Sequence, residues 1–179
     1  MSSKGRARPH QLWNALEAQH VRYSVAVSTL MRASDLPIKE ALALQDDLRR
    51  YFCLRCAGFL EQVTYEILTE FLIQKSGGPV HSFATSYFPK SPNLNARAFE
   101  TLIGRFGKET TKSLEEFMTE ERREGLNTLL EIRNLVAHGK DIGGAKLDPA
   151  GHYETCRATY RWLLEEFLPE IAAEPSSAT

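Results

Sequence analysis

The chain has 179 residues, 22 Lys+Arg against 23 Asp+Glu, and a net charge of −1. That length suits one domain, able to bury roughly 70% of its unfolded surface without disulfides or a metal. A near-neutral balance argues against a protein that coats nucleic acid, which is normally basic, but leaves room for an enzyme that meets a few phosphates in one pocket.

Residues 1–9 are small, polar and basic, with Lys4, Arg6 and Arg8 among them, and read as a disordered tail. No apolar stretch follows them, and no apolar run approaches the ~18 residues needed to span a bilayer. The three cysteines, Cys53, Cys56 and Cys156, are an odd number, which suits a reducing compartment. A cytoplasmic protein without a membrane segment is therefore expected.

A helical pattern begins near Pro9, with Leu12, Trp13, Leu16, Val21, Val25 and Leu30 on one broad face. Ser34–Pro37 interrupts it. A long second helix is expected from about 38 to 74, carrying apolar residues from Leu42 and Leu44 through Phe52 and Phe59 to Leu72, and Gly77-Gly78-Pro79 stops it. Residues 80–95 read as a short helix and a loop broken by Pro89 and Pro92. Helices follow over 96–106, ended by Gly107, and over 110–118. Thr119 is placed to cap a further helix that runs to His138 and ends at Gly139. Gly143-Gly144 marks a loop, and Asp148-Pro149 starts the last helix, to about Phe167. The end of the chain, from Glu174, reads as a disordered tail. Nothing alternates at period two, so the fold class is all-α, with a single domain over 10–173.

The last turn before Gly139 concentrates polar chemistry. With about 100° per residue and Arg133 at zero, Ala137 falls near 40°, Asn134 near 100° and His138 near 140°. Leu129, Ile132 and Val136 gather on the opposite, core face. Arg133, Asn134 and His138 thus share an arc turned from the core, which Asn127 and Glu131 extend and in which small Ala137 permits close approach of another helix. Spacing alone also fits plain capping of the last carbonyls by Arg, Asn and His.

The run Glu131-Ile132-Arg133-Asn134-Leu135-Val136-Ala137-His138-Gly139 resembles the signature of the HEPN superfamily, an Arg, often followed by a polar residue, and a His four to six residues on. Ala57-Gly58-Phe59-Leu60-Glu61 on the long preceding helix, and the Gly-Gly break after it, strengthen the likeness. Over roughly 40–168 the chain is similar to the bacterial HEPN branch that holds the RiboL-PSP group beside related groups. The resemblance implies a HEPN-like bundle of long antiparallel helices with short additional ones. It implies a homodimer in which two Arg–His motifs face one cleft at the two-fold interface. It also implies RNA cleavage without metal or other cofactor, often in toxin–antitoxin or antiphage systems, so that RNA and an antitoxin protein are the expected partners. Some members have lost catalysis and bind partner proteins, nucleotides or RNA. A subgroup carries Tyr two residues after the His; Lys140 stands there in this chain, which weakens that route of regulation.

The residue types suit such chemistry. Attack of a 2′-hydroxyl needs a base for its proton and an acid for the leaving 5′-oxygen, and histidine serves either role near neutral pH. Arg133 supplies fixed charge for a developing phosphorane, and Asn134 a donor to phosphate or to His138. Two readings stay open for Glu61, partner of Arg133 or solvated helix surface. Lys140 is a supporting cation. Arg55, Arg122 and Arg123 are candidates for the rim of an RNA cleft. Cys53-Leu54-Arg55-Cys56 has no second pair and lies mid-helix, so buried structural thiols are expected rather than zinc or redox chemistry. His10, His20, His81 and His152 show no ligand spacing, and Tyr51, Tyr65 and Trp162 read as core.

Overall fold

The computed structural model describes residues 3–32, 35–86, 93–140 and 147–172. It contains α1 (Ser3–Arg32), α2 (Ile38–Lys75), α3 (Gly78–Ser86), α4 (Ala96–Ile103) running into a 3₁₀ turn (Gly104–Phe106), α5 (Lys108–Phe117), α6 (Glu120–Ala137), α7 (Pro149–Phe167) and α8 (Pro169–Ala172). No strand occurs among the described residues, and the all-α expectation holds.

The local signals act as their chemistry predicts. The Thr119 hydroxyl accepts from the Arg122 N–H to start α6, and the Asp148 carboxylate accepts from the Gly151 N–H to start α7. Asn95 caps α4 by accepting from the Ala98 N–H at 2.7 Å. Gly107 takes φ 110° after the 3₁₀ turn, where an L side chain would be strained.

α2 is the axis of the bundle. Its 38 residues reach roughly 57 Å at 1.5 Å per residue, and α1, α6 and α7 all pack against it. Phe52, Cys56, Val63, Ile67 and Leu68 from α2 meet Leu126 and Leu129 from α6 and Leu163 and Leu164 from α7 in one core. Trp13 of α1 stacks on Tyr160 of α7 with ring centroids 5.2 Å apart. α6 and α7 approach so closely that a Cβ on Gly125 would sit 2.7 Å from the Thr155 hydroxyl.

α1 departs from the expected pattern at both ends. It begins at Ser3, ahead of the expected start near Pro9, and so takes in most of the stretch read as a polar tail. Pro9 is buried, and Arg8 pairs with Glu66 of α2 at 3.1 Å, which ties this turn down. At the far end, Val21 and Val25 of α1 and Leu42 and Leu44 of α2 are exposed rather than core. Helical periodicity says that a face is apolar; it does not say what lies against it. The expected tail from Glu174 and the Gly143-Gly144 loop lie outside the described residues.

Candidate functional site

The last turn of α6 is held from below by a small core of its own. Ile132 and Cys53 are buried together, with Leu135, Val136 and Leu147 packed on them. Cys53 is thus a piece of the floor. Burial, reinforced by nearby Cys56 and Asp148, pushes its thiol up to about 12, so it stays protonated and inert at neutral pH. The fully buried Cys156 thiol is raised as well, first by burial, and donates to the Cys56 carbonyl at 3.5 Å. All three cysteines are free and buried, and no cluster of three or more His, Cys, Asp or Glu able to hold a metal occurs among the described residues.

The helix closes in a Schellman motif. The Lys140 N–H reaches back to the Leu135 carbonyl at 2.9 Å, and the Gly139 N–H to Val136 at 3.1 Å. Gly139 takes φ 62°, which glycine adopts without strain. His138 is therefore the C-cap residue (φ −97°, ψ 9°), one position beyond the helix proper. Its backbone is fixed while its side chain is exposed beside exposed Ala137.

The polar arc straddles two concavities. Asn134, His138 and Lys140 line the first, about 440 Å³, together with Asn127 and Glu131 of α6 and Asn95 at the start of α4. The Asn127 side chain accepts from the Ala96 N–H at 3.0 Å, which pins α4 to this wall. Arg133 lines the second, about 370 Å³, with Glu61 and Arg55 of α2. Its guanidinium is spoken for on several sides. Nη1 donates to Asn93 Oδ1 at 3.1 Å and to Asn134 Oδ1 at 3.0 Å. Nη2 lies 3.8 Å from Glu61 Oε1, a carboxylate only 6% exposed. Of the two roles open to Glu61, the structure shows the charge partner of Arg133. Asn134 in turn joins the two halves of the arc, orienting Arg133 with its carbonyl oxygen and lining the His138 pocket.

Arg122 and Arg123 lie elsewhere. They occupy the first turn of α6, roughly 20 Å from its last turn along the axis. Arg122 donates to the Phe117 carbonyl and stacks over the Phe117 ring, 4.4 Å from its centroid. Arg123 pairs with Glu100 at 2.8 Å. Both are tied into packing, and neither lines the two concavities at the end of α6. Arg55 and Lys140 do lie near the motif. Sequence reasoning overlooked Asn93 and Asn95, whose only visible signal was an Asn before a helix. It also placed Tyr51 in the core, whereas Tyr51 is 55% exposed at the Arg133 cavity.

An all-helical bundle whose sixth helix ends in Arg-Asn-x-x-x-His over a Schellman turn defines the class of this protein, a HEPN domain. The profile of the RiboL-PSP-HEPN family matches residues 30–164, and the chain belongs to that family. No curated protein and no solved structure matches the chain. Among the described residues no helix is long and apolar enough to cross a membrane.

Proposed function

We propose that the chain is a metal-independent RNA endonuclease that works as a homodimer, as a toxin or antiphage effector. The observation that carries this reading is the cleft at the end of α6, where exposed His138 on a rigid cap shares one wall with Lys140, Asn134 and Asn127. In the proposed reaction the 2′-oxygen of RNA attacks the adjacent phosphorus, its proton passing to a base. The bond from phosphorus to the 5′-oxygen breaks, and an acid protonates that oxygen. The products are a 2′,3′-cyclic phosphate and a free 5′-hydroxyl. One chain brings one motif histidine to this cleft, and a two-fold dimer brings two, one as base and one as acid. The exposed face of Ala137 and His138, left uncovered by the described helices, suits that contact. Arg133, oriented by Asn134 and Asn93, is the electrostatic stabiliser.

The test is cleavage of RNA by purified dimer in the presence of a chelator, beside His138→Ala and Arg133→Ala, with growth on expression as a second readout. Cleavage with cyclic-phosphate ends and growth arrest, both lost in the two variants, is expected. A protein that cuts no RNA offered, and is as harmless as its variants, sinks the reading. A folded, monomeric interface variant with full activity sinks the shared cleft.

One observation favours a second reading. The Arg133 guanidinium already meets Glu61, Asn93 and Asn134, as befits a residue that holds helices together. On that reading the chain is a non-catalytic module for a partner protein, nucleotide or RNA, and the motif serves dimer packing.

A further inference from the structure

The Arg133 cavity contains more than the motif needs. α1 and α2 form its walls and Arg133 closes one side; Leu16 and Phe59, both buried, give it an apolar floor. Its volume of about 370 Å³ falls within the roughly 300–1,000 Å³ of ligand pockets. Four lining residues, Tyr51, Arg55, Gly58 and Gln62, lie on α2 at steps of four, three and four. That spacing sets them in one stripe along the helix. Tyr51, Arg55 and Gln62 are exposed, so the cavity presents a phenol ring, a guanidinium and an amide to whatever enters.

Gly58 is the most telling member. It sits mid-helix, where glycine is less stable than alanine, yet a Cβ there would meet no atom within 4 Å. Packing therefore does not require a glycine at this point, and its effect is to leave room between Arg55 and Gln62. The apolar floor and flat, cationic rim suit a planar, uncharged, π-rich group. Tyrosine and arginine planes both stack on nucleobases, and a glutamine amide can donate and accept along a base edge. The buried Glu61 carboxylate beside Arg133 disfavours a second anion inside, so the phosphate stays at the Arg133 edge.

We infer that this cavity is a nucleobase subsite that takes one unpaired base of single-stranded RNA, stacked on Tyr51 and Arg55, beside the phosphate that Arg133 meets. The inference rests on the ribonuclease reading, since Arg133 is the group common to both. It predicts single-stranded rather than duplex substrate, because a paired base cannot enter.

The experiment uses the full chain with His138→Ala, so that binding is read without cleavage, and a fluorescein-labelled twelve-nucleotide single-stranded RNA. Gly58→Phe fills the cavity and Tyr51→Ala removes the platform; each should weaken binding about 10-fold or more. Gly58→Ala and Tyr51→Trp should stay within about 3-fold of the background. In RNA carrying 2-aminopurine, quenching on binding should be lost with Gly58→Phe and with Tyr51→Ala. Because Tyr51 is exposed, Tyr51→Ala tests the idea even if Gly58→Phe misfolds. Unchanged affinity and quenching in the folded variants overturn the subsite, while cleavage by the chain with His138 intact would leave the nuclease reading standing. Loss of dimer mass in Gly58→Phe with RNA affinity unchanged assigns the cavity to a protein contact and overturns it too. Absence of any RNA binding, together with absence of cleavage, removes both readings.

Discussion

α6 carries Arg122 and Arg123 in its first turn and Arg133 in its last stretch, and His138 caps its end. At the start each arginine is satisfied by structure: a carbonyl and a ring for Arg122, a carboxylate for Arg123. At the end the helix stops over its own small core, the Schellman turn fixes His138, and an open cleft lies beside it. A basic pair thus becomes packing where neighbouring helices offer acceptors, and becomes a site where the neighbours withdraw. Arg133 is intermediate, held by three side chains yet facing a cavity.

The largest effect that would test this contrast is on catalysis. His138→Ala should lower the rate of RNA cleavage by at least about 10²-fold while changing stability by less than ~0.5 kcal/mol, as expected for an exposed side chain. A stability loss as large as the activity loss would make the cap a packing element like Arg122. Arg133→Ala should combine the two characters, losing cleavage and also about 1–3 kcal/mol of stability as the buried Glu61 loses its charge partner. Adding Glu61→Gln should restore part of the stability and none of the cleavage. Full recovery of both would show that Arg133 acts only as a structural ion.

At the other end of the helix, Arg122→Ala should cost about 1 kcal/mol in denaturant unfolding through its lost carbonyl and ring contacts. Arg123→Ala should cost less, because its ion pair with Glu100 is partly exposed. Both should cleave RNA as the native chain does; a clear loss of RNA affinity would return them to the cleft rim. Gly139→Ala should cost about 1 kcal/mol for a side chain placed at φ 62°, with a fall in cleavage as His138 loses its fixed cap.

The smallest effect concerns pH. His152, at the start of α7, is 4% exposed, and burial lowers its pKa from 6.5, only partly opposed by Asp148. The unfolded chain therefore takes up the proton first as pH falls. Its contribution to stability is complete above about 6.5 and declines below that value. The urea midpoint should drop between pH 7 and 5, and His152→Leu should flatten part of that drop. An unchanged slope in that variant would show that burial of His152 is not what couples folding to acid.

Much of the fold was legible because its signals are local. Thr119, Asp148-Pro149, Gly107 and Gly139 act within a turn or two of themselves, so the bounds of α2, α6 and α7 followed from residue order. The Arg133–His138 spacing was legible for the same reason, since a helix converts sequence separation into angle, and with it came the family. What lies opposite each face was not legible. Periodicity marked Val21 and Val25 as apolar, but only the bundle shows that nothing described covers them. The motif singled out Arg133 and left Arg122 and Arg123 as rim candidates, but only the tertiary partners show Phe117 holding Arg122, Glu100 pairing Arg123, and Glu61 and Asn93 orienting Arg133, and those partners come from other helices and loops. The helix-ending motif was thus set by local geometry, while its division between a histidine cleft and an arginine cavity was decided by packing, because burial and pairing depend on residues distant in the chain.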